Sequence, residues 1–189
     1  MEWFTAAERF TAALASSDPT PGGGAAAAHA GAMGCALALM AVQTTLKRKS
    51  TQTDARNRLE KSRNRLVALK KQMNGYVSQD GEAYTAYLTA KKLPLDDPSR
   101  EEAIQQALAF AASVPADTAK TAVEILKETE VLKDDVCAAI VPDVYCAKHL
   151  LQACIRCAVE NIRANAQFIQ NNDTKTMLEK QIAVLLKSC

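Results

Sequence analysis

Aromatic side chains are scarce, with Phe, Trp and Tyr making up 5% of the 189 residues. Sandwiches and barrels build their strands largely from aromatic and β-branched residues, so a chain in which Ala takes that place points to helices instead. A surplus of one charge is lacking as well. With 23 basic and 21 acidic side chains the net charge is +2, which excludes the cationic excess of a dedicated nucleic-acid module. Glycine and proline are few, seven and six, and they cluster, so long stretches run without a breaker. No stretch alternates at period two for long enough to make a strand; Asn74-Gly75 and Asp80-Gly81 lie within helical pattern rather than between alternating runs. No basic segment followed by an apolar run opens the chain, so no secretory leader is read and a cytoplasmic location is expected.

What remains is a chain 48% hydrophobic, far above the range of disordered sequences and long enough to bury one core as a single domain over residues 1–189. Six cysteines (Cys35, Cys137, Cys146, Cys154, Cys157, Cys189) are read as reduced thiols, the default in a chain of this size and expected location.

Apolar residues at three- and four-residue spacing predict an amphipathic helix over 2–16, carried by Trp3, Phe4, Phe10 and Leu14. It stops at Ser16-Ser17-Asp18-Pro19-Thr20-Pro21. After Gly22-Gly23-Gly24, residues 25–46 are small and apolar on every side, the mark of a helix in the middle of a bundle. Its length would also span a bilayer, but its Ala and Gly transfer weakly to lipid and suit close helix contact, so no membrane association is expected. A polar helix follows over 53–92, with a kink or break expected at Gly75 and Gly81. Further helices are predicted from Ser99 through a kink at Pro115, from Pro142 to Gln170, and from Thr174 to Lys187. The fold class is all-α, a helical bundle around a buried small-residue helix.

Charge is strongly polarised along the chain. Residues 47–72 hold ten basic and two acidic side chains, a net of +8, which leaves the rest with 13 basic and 19 acidic, a net of −6. Most such runs are solvated faces; a small anionic ligand is the alternative, and nucleic acid is disfavoured because the segment has no aromatics for base stacking.

Three glycines before a helix imply either positive φ or a backbone that passes close to something, and free amides at a helix start attract anions and carbonyl oxygens. No Gly-Lys-Ser/Thr follows, so this is not a P-loop. Cys146, His149, Cys154 and Cys157 resemble metal ligands by type, yet 146 and 157 lie roughly 16 Å apart on a helix, too far for one zinc. No metal is expected; the thiols are read as small buried hydrophobes and His149 as a packed core residue. Asp143 opens a helix after Pro142, where its charge suits the helix dipole; facing a cleft, the carboxylate could instead accept a proton. Asp143, Asn161 and Asn165 share one helix face, but Asp143 and Asn161 are about 27 Å apart along it, suiting two ends of a long ligand or of a subunit interface.

Taken together, Pro19-Thr20-Pro21-Gly22-Gly23-Gly24 with its small-residue helix, Asp80-Gly81-Glu82-Ala83-Tyr84 running to Lys92-Leu93-Pro94, Ala103-Ile104-Gln105 to Val114-Pro115, Asp143, and Asn161-Ile162-Arg163-Ala164-Asn165 resemble the cyclodeaminase/cyclohydrolase family. The resemblance covers residues 3–187. It implies an all-helical homodimer that binds a tetrahydrofolate derivative as substrate, without a cofactor, near the glycine turn and close to the subunit interface. The implied reaction is hydrolysis of 5,10-methenyltetrahydrofolate to 10-formyltetrahydrofolate, with formimidoyltetrahydrofolate cyclodeamination as the alternative and a non-catalytic folate-binding protein as a third reading. By position it implies Asp143 and Asp80 as catalytic acids, with Pro21, Gly22, Gly23, Gly24, Glu82, Lys92, Asn161 and Asn165 around the substrate. Lys92 would meet a glutamate carboxylate of the folate, and the basic segment 47–72 a polyglutamate tail. The chain departs from the family pattern at Ala25, Pro142 and Thr45-Leu46-Lys47-Arg48-Lys49, where hydroxyls or a Gly-Lys-Lys element usually stand.

Overall fold

A computed structural model describes residues 2–189 as six α-helices: α1 (Glu2–Leu14), α2 (Gly23–Leu46), α3 (Thr53–Lys91), α4 (Arg100–Leu132), α5 (Val141–Ala166) and α6 (Asn172–Leu186). A single turn of 3₁₀ helix, Ala138–Ile140, leads into α5, and no strand occurs among the described residues. α2 is the axis of the bundle, packed against α3, α4 and α5, while α6 closes the side of α4 and α5. Its length and hydropathy would let α2 cross a membrane, but 61% of its most apolar window is buried inside the protein.

Small residues give α2 this place. A Cβ added to Gly31 would stand 2.8 Å from Cys154 Sγ, and one added to Gly34 would stand 2.9 Å from Leu151 Cγ and 3.0 Å from the Ala147 carbonyl. Together with Gly23 beside Asn161, these contacts run α2 and α5 antiparallel with their backbones unusually close. No glycine has positive φ, so close approach, and not turn conformation, explains why glycine is used here. Leu59, Leu66, Met73, Ile125, Leu151, Ile155 and Ile162 fill the space around the axis and are almost wholly buried.

The expected break in α3 does not occur; the helix runs 39 residues through Gly75 and Gly81. Propensity lowers the helix by only about 1 kcal/mol per glycine, which packing along the whole length outweighs. α4 likewise continues through the buried Pro115. A proline there removes the amide that would bond the Ala111 carbonyl, and Asn165 Nδ2 on α5 donates to that carbonyl instead, at 2.6 Å. The reading of His149 and of the cysteines is corrected, whereas the helix expected at the start of the chain is present as α1. His149, Cys146 and Cys157 lie exposed on the outward side of α5, leaving only Cys35 and Cys154 as buried thiols, each pushed up to about 12 by burial. α1 buries none of its residues; the Phe10 ring rests on His29 at 4.5 Å, while Trp3 and Phe4 remain 68% and 53% exposed.

Three of the ten basic side chains of residues 47–72, Arg56, Arg58 and Arg65, are engaged in holding the bundle. Arg58 Nε donates to Asp135 at 2.8 Å, Arg56 donates to the carbonyls of Leu46 and Arg48, and Arg65 lies 3.2 Å from Glu128.

Glycine 34 and glycine 75 make a matched test. Gly34→Ala should destabilise the protein by about 1–3 kcal/mol through overpacking, whereas Gly75→Ala, with nothing within 4 Å of the new methyl, should stabilise it by up to about 1 kcal/mol; urea unfolding followed by circular dichroism reads both. Asn165→Ala should cost about 1–3 kcal/mol by orphaning the Ala111 carbonyl. Much of that loss should vanish in a Pro115→Ala background, where the restored amide serves the carbonyl, and a double-mutant cycle by the same unfolding measurement checks the coupling.

Candidate active site

The first turn of α2 ends at a pocket that four segments build together. Gly22 occupies the N-cap of α2 and has no side chain to cap with. Asp80, reaching across from α3, does so instead: its Oδ2 accepts the Ala25 N–H at 2.9 Å, the amide that an N-cap side chain ordinarily serves. The approach leaves no room for a side chain at Gly24, where an added Cβ would stand 2.6 Å from the Asp80 carboxyl carbon. The glycine run is therefore the condition for this carboxylate to sit on the helix start.

Around it lies a cavity of ≈ 230 Å³ lined by Pro19 and Thr20, the three glycines, Asp80, Ala83, Tyr84 and Tyr87 on α3, Leu108 and Ala111 on α4, and Asn161 and Asn165 on α5. Asp80 is half-buried. Burial raises its pKa above the usual carboxylate value, and the Ala25 amide only partly opposes that shift. The two asparagines present the same end to the cavity. Asn161 Nδ2 donates to the Cys157 carbonyl at 2.9 Å and Asn165 Nδ2 to Ala111, so the oxygen of each amide is the end left to accept.

Of the residues expected at the site, Gly22, Gly23, Gly24, Asp80, Asn161 and Asn165 meet here. Pro21 is half-buried behind the lip without lining it. Glu82, two residues beyond Asp80, is exposed on another face of α3. Lys92 is exposed at the C-cap of the same helix, about 18 Å along from Asp80. Asp143 stands in the first turn of α5, about 27 Å from Asn161, and does not join Asp80 within one chain. The basic segment also lies away from the pocket: Lys70 is about 15 Å and Arg58 about 33 Å from Asp80 along α3. Tyr84 and Tyr87 were not anticipated. Their signal is present in the sequence, since 80, 83, 84 and 87 mark one face of an unbroken helix, but an expected break at Gly81 hides it.

The formiminotransferase-cyclodeaminase family model matches residues 6–184. The chain is 32% identical over 185 residues to a methenyltetrahydrofolate cyclohydrolase of Methylorubrum extorquens, covering 94% of this chain and 86% of that protein. It is 29% identical to the formimidoyltransferase-cyclodeaminase of Sus scrofa, where 94% of this chain covers 34% of the relative. The crystal structure of a formiminotetrahydrofolate cyclodeaminase from Thermotoga maritima superposes with a TM-score of 0.86 at 26% identity, covering 96% of this chain and 88% of that one. With the glycine turn, the Asp80 cap and the paired asparagines arranged on that shared fold, the chain belongs to the formiminotransferase-cyclodeaminase family.

Proposed function

We propose that this protein hydrolyses 5,10-methenyltetrahydrofolate to 10-formyltetrahydrofolate, with Asp80 moving the proton. The observation that carries the assignment to Asp80 is its carboxylate, held against the start of α2 inside the pocket and pushed up in pKa by burial. The substrate carries a cationic N–C–N unit whose carbon bridges N5 and N10. Water forms the new C–O bond at that carbon and yields a proton to Asp80; the C–N5 bond then breaks as N5 takes that proton. The remaining hydroxyl proton leaves to solvent as the formyl carbonyl forms, so one proton is released overall. A carboxyl whose pKa is raised toward the working pH both accepts and returns a proton efficiently. While ionised, it also faces the positive charge of the substrate.

The rest of the pocket suits the same ligand. Asn161 and Asn165 offer amide oxygens to the N–H donors of a pterin ring, and Tyr84 and Tyr87 offer aromatic surface beside them. The likeness to the Methylorubrum cyclohydrolase over nearly the full length of both chains supports hydrolysis as the reaction. Cyclodeamination, in which N10 attacks the formimino carbon and ammonia leaves, is the second reading, supported by the structural match to a cyclodeaminase over 88% of that chain.

Purified protein should accelerate the loss of methenyltetrahydrofolate absorbance over buffer; no acceleration, with ammonia released from formimidoyltetrahydrofolate, would reverse the order of the two readings. Asp80→Asn should lower turnover by about 10²–10⁴-fold. Its thermal midpoint should hold or rise, because the amide oxygen still accepts the Ala25 N–H and no buried charge remains. The sign follows from the raised pKa: above it the ionised carboxylate burdens the fold, below it that burden is gone. In the wild-type protein the acid limb of kcat/KM should therefore fall at a midpoint above the ordinary carboxylate range, and that limb should be absent from Asp80→Asn.

A further inference from the structure

Pro115 lies buried in the interior of a 33-residue helix, a place where proline is strongly disfavoured. The donor it removes is replaced from α5, where Asn165 Nδ2 donates to the Ala111 carbonyl at 2.6 Å. Both ends of that bond belong to the pocket, since Ala111 and Asn165 line the cavity. The two asparagines of the pocket are therefore held in different ways. Asn161 Nδ2 donates to the Cys157 carbonyl at 2.9 Å, four residues back on its own helix, where the Asn161 backbone amide already serves that oxygen. The side chain is a second donor there, and the carbonyl is satisfied without it. The Ala111 carbonyl has no helical amide, because Pro115 stands where that amide would be. Turning the Asn165 amide round would set oxygen against oxygen and leave a part-buried carbonyl unpaired. Asn165 is thus fixed with its oxygen toward the cavity, whereas Asn161 is free to present either end.

A fixed acceptor chooses among rings of the same shape. The 2-amino-4-oxopyrimidine edge of a pterin carries an N–H at N3. A 2,4-diaminopyrimidine edge of equal size carries a bare lone pair at the same atom. An amide free to turn serves either ring, since it has an acceptor at one end and donors at the other. An amide held by its nitrogen serves only the first, and against the second it places lone pair on lone pair with no water to relieve it.

We propose that Pro115 is a positioning residue for ligand selection: by vacating the Ala111 carbonyl it locks the Asn165 amide oxygen toward the cavity, where that oxygen accepts the N3–H of a 2-amino-4-oxo ring and refuses a ring with a lone pair at N3. The proposal rests on the folate reading for the identity of the ring. Pro115 touches no ligand and acts wholly through Asn165. Its role also accounts for a proline kept in a helix that neither ends nor breaks there.

Binding of a matched ring pair tests the assignment, with tetrahydrofolate and its 4-amino-4-deoxy counterpart as probes at mildly alkaline pH, where both rings are uncharged. Calorimetry on the wild-type protein should find the 4-oxo ring bound about 10–100-fold more tightly. In Pro115→Ala the restored amide takes the Ala111 carbonyl and Asn165 is released. The preference should then shrink to within about threefold, chiefly because the diamino ring binds more tightly. Asn165→Ala should show the same small preference, and adding Pro115→Ala to it should change nothing further. A proline that merely shapes α4 would alter both affinities by one factor, with or without Asn165; that result, or an unchanged preference in Pro115→Ala, overturns the proposal. A second readout needs no ligand. By nuclear magnetic resonance, one side-chain amide proton of isotope-labelled Asn165 should exchange slowly with solvent in the wild type and fast in Pro115→Ala, and equal exchange in the two overturns the lock. A wild-type chain that binds neither ring defeats the folate reading, while the exchange measurement still decides whether Pro115 fixes the amide.

Discussion

The hydrogen bond from the Ala25 amide to the Asp80 carboxylate is the constraint on which the rest of the arrangement depends. It anchors the start of the central helix to the last third of α3, and it does so only because Gly22 supplies no competing cap and Gly24 supplies no side chain to block the approach. The same bond puts an acid where the backbone amides of a helix start would favour its ionised form and where loss of water favours its neutral form. Burial outweighs the amide, which leaves a carboxyl inside a pocket with its pKa above the ordinary value.

The second anchor is of the same kind. Pro115 removes a donor from α4, and Asn165 replaces it from α5, so a local defect in one helix becomes a specific bond between two. Both anchors consume one end of a polar side chain and leave the other to the cavity. Such use of backbone vacancies explains how an alanine-rich bundle with little aromatic or charged material in its interior can still hold polar groups at defined positions.

Helix number, order and character were legible in the sequence, because period and breakers carry them: the Ser16–Pro21 turn and the small apolar run after the glycines each read directly into the structure. Gly75 and Gly81 misled, since intrinsic propensity counts for little in a helix packed along its length. The glycine turn, Asp80 and the two asparagines were recognisable from the family resemblance, not from periodicity. Which of the expected acids share a pocket could not be read at all. Sequence patterns report the face of a helix a residue occupies, whereas the meeting of Asp80 with Gly24 is decided by how far one helix slides along another.

The pocket takes its wall from residues as early as Pro19 and as late as Asn165, and the cap of α2 comes from 55 residues downstream. While the chain is being synthesised, α2 therefore emerges with its first turn uncapped and its apolar flanks bare, and it stays so until α3 has followed. The last wall of the pocket arrives only with the end of α5. No nascent chain that stops short of the end of α5 contains the complete pocket, so ligand meets the whole site only once most of the domain has been made.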